Sequence, residues 1–333
     1  MWAQRSAGER VSFREVIGHQ RPIRLLQRAI ANDHLPHAYL FVGSEGIGKK
    51  LVALTLAKTI NCEEGKEDCC DRCLSCRKIG DGNHPDVSVI VPEGQFIRID
   101  KIRELQRSLS YRPFEGKKRV CILDGADRMK AEGANALLKT LEEPPPSTLL
   151  LLVASERERL LPTIVSRCQQ LTFTRLPMDQ MVGELINRHA IGEREARTVA
   201  ALAQGSLGRA LQMWDHEVWE KRGEIVHALM DLPGQRVHKA FTLAQSLVDF
   251  GEHLPLVFLV MISWYRDLIL WKEGRGVDGL INQDLCEEVK RGGNLMSRRS
   301  LIRRIEAVNE TSRALTHNAN RLLAMEHLML QLR

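Results

Sequence analysis

Four apolar runs punctuate the first half of the chain: Ala38 to Val42, Val87 to Val91, Val120 to Leu123 and Leu149 to Ala154. Each is nearly continuous rather than alternating, and helical patterns separate them. That grammar predicts strands of a parallel sheet covered on both faces, with ligands bound beyond the strands' carboxyl ends. After Phe173 the strand signals stop. Met178 to Arg188 and Glu193 to Ala203 read as short amphipathic helices before a Gly205-Ser206-Leu207-Gly208 break, and long helical segments dominate from about Val218. Leu301, Ile305, Val308, Leu315 and Leu322 are expected on one face of the last helix, as ordinary core or packed against neighbouring subunits. The pattern divides the chain into an α/β module over residues 1–174, a small helical domain over 175–215 and an all-α domain over 216–333.

The chain has 333 residues, 44% of them hydrophobic, enough to bury the cores of two or three domains. The conspicuous apolar runs, Leu149 to Ala154 and Leu256 to Ile262, fall far short of the roughly twenty residues of a membrane span, so no membrane partner is expected. Lys and Arg outnumber Asp and Glu by 48 to 42, an excess that permits contact with phosphate backbones without demonstrating it.

Candidate chemistry follows the first strand. Gly43-Ser44-Glu45-Gly46-Ile47-Gly48-Lys49-Lys50 lies between a strand pattern and a helix pattern, the context of a phosphate-binding loop. Gly43, Gly46 and Gly48 let backbone amides curl around phosphate, and Lys49 reaches the outer phosphates; the bland alternative is a glycine turn before a helix. Lys50 stands where a Ser or Thr hydroxyl ordinarily ligates magnesium, and a charged ammonium has no lone pair to offer. Val120 to Asp124 resembles the strand that delivers a metal-binding carboxylate, Asp124, but Gly125 follows where a water-polarising Glu is usual. Nucleotide binding is compatible with both departures; metal-assisted hydrolysis is not supported.

Cys62, Cys70, Cys73 and Cys76 follow that loop and its helix, at spacings that suit a closed four-sulfur zinc site, with Cys69 as the spare. Disulfides are the alternative. The beginning of the chain does not resemble a signal peptide, and a reducing cytosol favours metal over bridges. A closed tetrathiolate site leaves no position for substrate, so its role is structural.

Phe13 through Gln20, His37 through Phe41, Ala134 through Pro145, His84-Pro85-Asp86 and Ser166-Arg167-Cys168, taken with the phosphate loop and the cysteine insertion, resemble the bacterial clamp-loader subunits of DNA polymerase III in the AAA+ superfamily. The resemblance spans essentially the whole chain. Gly46 through Lys50, Asp124 through Asp127, and Asn318-Ala319-Asn320 before Leu322 through Glu326 resemble the delta-prime type, with the gamma or tau motor type as the alternative. The resemblance implies an AAA+ α/β module with a zinc-knuckle insertion at 62–76, a helical lid and a C-terminal helical collar. It further implies gamma/tau and delta subunits as partners, a sliding clamp and primed DNA within the assembly, and a cytoplasmic location. Such a chain does not hydrolyse ATP by itself. By the same resemblance Arg167 reaches a nucleotide held by an adjacent subunit, acting in trans; a surface salt bridge is the plain alternative. Ser155 takes a phosphate-sensing position or caps the next helix, and Ile17 lines an adenine pocket or is core. Arg209, one position beyond the expected lid arginine, is turned by about 100° on a helix. Arg103 and Arg107 are DNA-facing candidates or a solvated basic face.

Overall fold

The structure is a computed structural model that describes residues 11–316 and 319–333. Asn318 and residues 1–10 of the expected first domain lie outside the described residues. The chain forms two compact units, one ending at Leu176 and the other beginning at Pro177.

The first unit contains helices α1 (Gln20–Ala31), α2 (Lys49–Asn61), α3 (Leu74–Gly80), α4 (Ile99–Leu109), α5 (Ala131–Glu142) and α6 (Pro162–Val165), and strands β1 (Ala38–Val42), β2 (Val87–Ile90), β3 (Arg119–Asp124), β4 (Thr148–Ala154) and β5 (Gln169–Thr172). The sheet is wholly parallel, in the order β2-β3-β4-β1-β5. The four predicted runs are four of these strands. The fifth gave no continuous signal because three of its four residues, Gln169, Gln170 and Thr172, are polar and exposed, and only Leu171 is buried.

Alternation sorts the central strands onto two cores. Tyr39, Phe41, Val120, Ile122, Leu149, Leu151 and Val153 face the side covered by α2, through Val52, Ala53, Leu56 and Ile60. Ala38, Leu40, Cys121, Leu123, Leu150 and Leu152 face the other side, with Ile102 and Leu105 of α4 and Leu137 and Leu141 of α5. Each fully buried Leu or Ile contributes about 1.5–3 kcal/mol, so both layers hold the strands in register.

At the amino end of β3 the anchor is polar. The buried Asp86 carboxylate accepts the backbone N–H groups of Phe114, Glu115 and Gly116 at 2.7, 2.9 and 2.8 Å, and the Arg119 guanidinium at 2.9 Å. The loop so held leaves Tyr111 and Phe114 exposed to solvent. His84 of the same His-Pro-Asp string accepts the Asp86 N–H on Nδ1, which leaves Nε2–H to donate to Ser75 Oγ of α3 at 3.2 Å.

The second unit is helical: α7 (Met178–His189), α8 (Glu193–Ala203), α9 (Leu207–Trp214), α10 (Glu217–Glu220), α11 (Arg222–Asp231), α12 (Val237–Val248), α13 (Leu254–Lys272), α14 (Cys286–Leu295), α15 (Arg298–Thr316) and α16 (Arg321–Leu332). The run Leu256 to Ile262 turns out to be part of the 19-residue α13, within a stretch, Gly251–Lys272, long and apolar enough by length and composition to cross a bilayer. Most of it is buried inside the unit, with Trp264 and Tyr265 fully enclosed. Its buried Asp267 accepts the N–H groups of Ile281 and Asn282 and the Asn282 amide, fixing the loop before α14 to the helix.

One expectation is corrected here. The stripe from Leu301 to Leu322 does not lie on a single helix, because α15 ends at Thr316 and α16 begins at Arg321. Asn320 makes the restart: its side-chain oxygen accepts the Leu323 N–H at 3.1 Å, an N-cap that satisfies one of the new helix's free donors. Leu301 and Val308 are buried on α15, while Leu322 belongs to α16.

Burial pushes the Asp86 carboxyl up, but the three N–H donors and Arg119 outweigh it and hold its pKa below the ordinary value. Its stabilisation is therefore present above the unfolded pKa of about 4 and is lost as pH falls through the lower folded value. Asp86→Ala is expected to cost about 3 kcal/mol, by leaving Arg119 and three amides unpaired. Urea unfolding at neutral pH and near pH 3 measures this, and the gap between variant and wild type narrows at the lower pH.

Candidate nucleotide and metal sites

The parity of the strands builds the first site. Gly43, Asp124 and Ser155 continue the alternation of Phe41, Ile122 and Val153, so all three belong to the face covered by α2. The Gly43 N–H donates to the Ala154 carbonyl at 3.3 Å and the Gly125 N–H to that of Val153 at 3.0 Å, which keeps the three strand ends together. Gly43 has φ 156°, and a Cβ there would lie 2.5 Å from the Phe173 carbonyl oxygen, so no other residue fits. Gly46 and Gly48 also have positive φ, and Gly48 is the residue before the first turn of α2. Lys49 is buried, and its ammonium donates to the carbonyls of Gly43 and Ser44 at 2.5 and 2.7 Å.

Lys50 Nζ lies 3.2 Å from Asp124 Oδ2. The two positions that would jointly hold magnesium are thus a cation and an anion paired with each other, a donor set that does not fit the metal: one carboxylate remains, and the ammonium beside it repels a divalent ion. The loop itself does fit a phosphate chain, with amides freed by the glycines and two ammonium groups. Gly125 has φ 85°, and a Cβ added there would sit 3.0 Å from Pro92, so the backbone disfavours a glutamate at this position. Asp127 lies two residues beyond Gly125. Its Oδ2 accepts the N–H groups of Ser155 and Glu156, both at 3.1 Å, bracing the end of β4. Ser155 does not cap the following turn, which is flanked by Glu156 without a side-chain cap.

Ile17 is half-buried. Two residues on, His19 was given no role by its sequence, yet it packs against the loop: Nε2 is 2.6 Å from the Ile47 carbonyl and the ring lies 4.9 Å from that of Phe173. Donation from Nε2–H leaves Nδ1 buried without a partner. Burial chiefly, and the Lys49 charge in addition, hold its pKa below the ordinary value, so the ring is neutral. The signal in the sequence was its place between Gly18 and the first residue of a helix.

The second site lies near the opposite end of α2. The sulfurs of Cys62, Cys70, Cys73 and Cys76 lie within 4.8 Å of one another, close to the roughly 3.8 Å edge of a tetrahedron with 2.3 Å zinc–sulfur bonds. Backbone N–H groups already point at them: Gly65 and Cys70 donate to Cys62 Sγ at 3.1 and 3.4 Å, Cys73 to Cys70 Sγ at 3.3 Å and Cys76 to Cys73 Sγ at 3.4 Å. Such donors stabilise thiolates, and the set fits zinc. Without metal, burial pushes the Cys73 thiol up to about 12, so binding must displace protons. Lys58 of α2 pairs with Asp71 at 2.5 Å, and Asp68 accepts the N–H groups of Phe13 and Arg14, fastening the knuckle to the α/β module.

The remaining predicted residues lie on other segments of the chain. Arg167 is held by Glu142 at 2.7 Å and donates to the Thr163 carbonyl at 3.0 Å, about one-third exposed. Arg103 and Arg107 are exposed on α4, whose Ile102, Leu105 and Leu109 face the core. Arg209 is half-buried in the first turn of α9, where Ser206 Oγ accepts its N–H.

Residues 18–177 match the family model described as DNA polymerase III, delta subunit, and residues 216–333 match the model for the C-terminal part of the delta subunit. The DNA polymerase III subunit delta' of Bacillus subtilis is 34% identical over 97% of this chain and 98% of its own length. The chain belongs to the delta' subunit family of DNA polymerase III. The delta' subunit of Pseudomonas aeruginosa is 31% identical, covering 89% of this chain and 91% of its own. The Bacillus subtilis tau subunit is 28% identical, and the chain spans only 54% of that longer relative.

Purified without chelator, the chain is expected to carry one zinc ion. Cys73→Ser should lose it and lower the midpoint of thermal unfolding, and a chelator should lower the wild-type midpoint to match. Metal analysis with calorimetry tests this; equal midpoints with and without metal would remove the structural role.

Proposed function

We propose that this chain is the stator-like delta-prime subunit of the DNA polymerase III clamp loader. In this reading it joins gamma/tau and delta subunits, helps place the sliding clamp on primed DNA in the cytoplasm, and lends an arginine to a neighbour's ATP site. One observation carries the reading: the 3.2 Å pairing of Lys50 with Asp124, beside Gly125 at the position of the usual base. A chain so equipped does not turn ATP over by the metal-assisted route. The gamma/tau motor reading requires that route, so the same pairing disfavours it.

The gap between the two family matches, residues 178–215, supports treating α7 to α9 as a lid and the helices from α10 onward as the collar. Structural zinc stiffens the α/β module, and ATP or ADP is the ligand class the phosphate loop suits.

Arg167 can serve in trans at little cost. Its link to Glu142 is a partly exposed ion pair, and such pairs contribute about 0–1 kcal/mol. A neighbour's phosphoryl group would replace that partner with a stronger one, because a planar guanidinium binds phosphate oxygens bidentately.

The isolated chain is expected to show no ATP turnover above background. In the reconstituted assembly, Arg167→Ala should leave assembly intact and cut hydrolysis at the adjoining motor site on the order of a thousandfold. DNA- and clamp-stimulated turnover, with size-exclusion to check assembly, reads both. Unchanged turnover would reduce Arg167 to its contact with Glu142.

A further inference from the structure

We infer that the phosphate loop binds a nucleoside diphosphate or triphosphate without a divalent cation, with the Lys50 ammonium occupying the magnesium position as a built-in replacement. The inference rests on reading the loop as a nucleotide site and is independent of the clamp-loader role.

Magnesium in such sites does two things: it neutralises the phosphate chain, and it ties that chain to the carboxylate at the end of the neighbouring strand. Lys50 supplies both. Its ammonium carries the charge, and it is already attached to that carboxylate, 3.2 Å from Asp124 Oδ2. An ammonium offers three N–H donors. The ion pair with Asp124 leaves donors for phosphate oxygens. The pair is partly open, with side-chain exposures of 36% and 30%.

The surroundings agree. Lys50 is in the first turn of α2, where the backbone N–H groups after Gly48 have no partner within the helix and attract anions. Lys49 spans the loop on its carbonyl oxygens and has only to exchange those for phosphate oxygens. A magnesium ion would meet the opposite conditions, since it must displace an ammonium from its carboxylate and then remain beside it.

The sign of the metal dependence is therefore inverted relative to an ordinary phosphate loop. Magnesium also sequesters free nucleotide, so adding it leaves the apparent affinity unchanged or weakens it.

The test is equilibrium binding of a fluorescent ADP to the full chain, in EDTA and in millimolar magnesium at matched ionic strength. Wild type is expected to bind ADP in EDTA, with no tightening on adding magnesium. Lys50→Thr, which restores a hydroxyl ligand, should bind about tenfold more weakly in EDTA, the size of one charge-assisted hydrogen bond, and recover when magnesium is added. Tightening of the wild type by magnesium would overturn the inference while leaving the loop a nucleotide site. No ADP binding in either buffer would overturn the nucleotide reading as well. The wild-type comparison needs no variant, so a poorly folded Lys50→Thr chain does not blunt the test.

Discussion

The structure of the first unit depends on the register of three parallel strands. Val42 stands opposite Ala154, and Asp124 opposite Val153. Because side chains alternate, a slip of one residue would send Asp124 to the α4–α5 face and turn Ile122 and Val120 out of their core. The register is held by apolar layers on both faces, so a correct core and a correct carboxyl edge are one condition. From it follow the placement of Gly43, Asp124 and Ser155 on one side, the course of the loop into α2, and the meeting of Lys50 with Asp124.

The amino end of the same sheet uses a different physical principle. There the chain leaves the apolar layers, and buried charge takes over: Asp86 gathers three backbone amides and Arg119, while Lys58 and Asp71 join α2 to the cysteine knuckle. Paired ions of this kind add little net stability compared with apolar packing, yet they are costly to break singly. They fix geometry at the loops, where a hydrophobic core cannot. A zinc ion held by the four sulfurs would extend the same logic, cross-linking the knuckle next to α2.

The strands of the core and the two helices after Phe173 were legible because continuous apolar runs and helical periodicity are strong, local signals. β5 was not, since Leu171 is the one apolar residue among its four. The break between α15 and α16 was missed for a related reason: Leu322 keeps the helical phase of Leu301 and Val308, and only the capping geometry of Asn320 reveals the restart. In the site, Lys50 and Gly125 announced themselves as departures from a familiar pattern. His19 did not, because its importance arises from a contact with Ile47, 28 residues away. Asp127 was visible as a carboxylate near the right place, but its engagement with Ser155 and Glu156 required coordinates.

The two changes at the carboxyl edge are not equivalent. Lys50 is reversible in principle: a hydroxyl in its place would free Asp124 and reopen a position for a metal ion. Gly125 is built into the backbone, at φ 85° with Pro92 against it, so a glutamate there demands a different path for the turn after β3. That turn in turn carries Asp127, which holds the end of β4 and hence Ser155. Restoring a water-polarising base would therefore disturb the brace that keeps the strand ends together. A hydroxyl at position 50 takes one substitution, whereas a glutamate at position 125 takes a different path for the turn. The obstacle at Gly125 thus lies in backbone shape rather than in any single side chain.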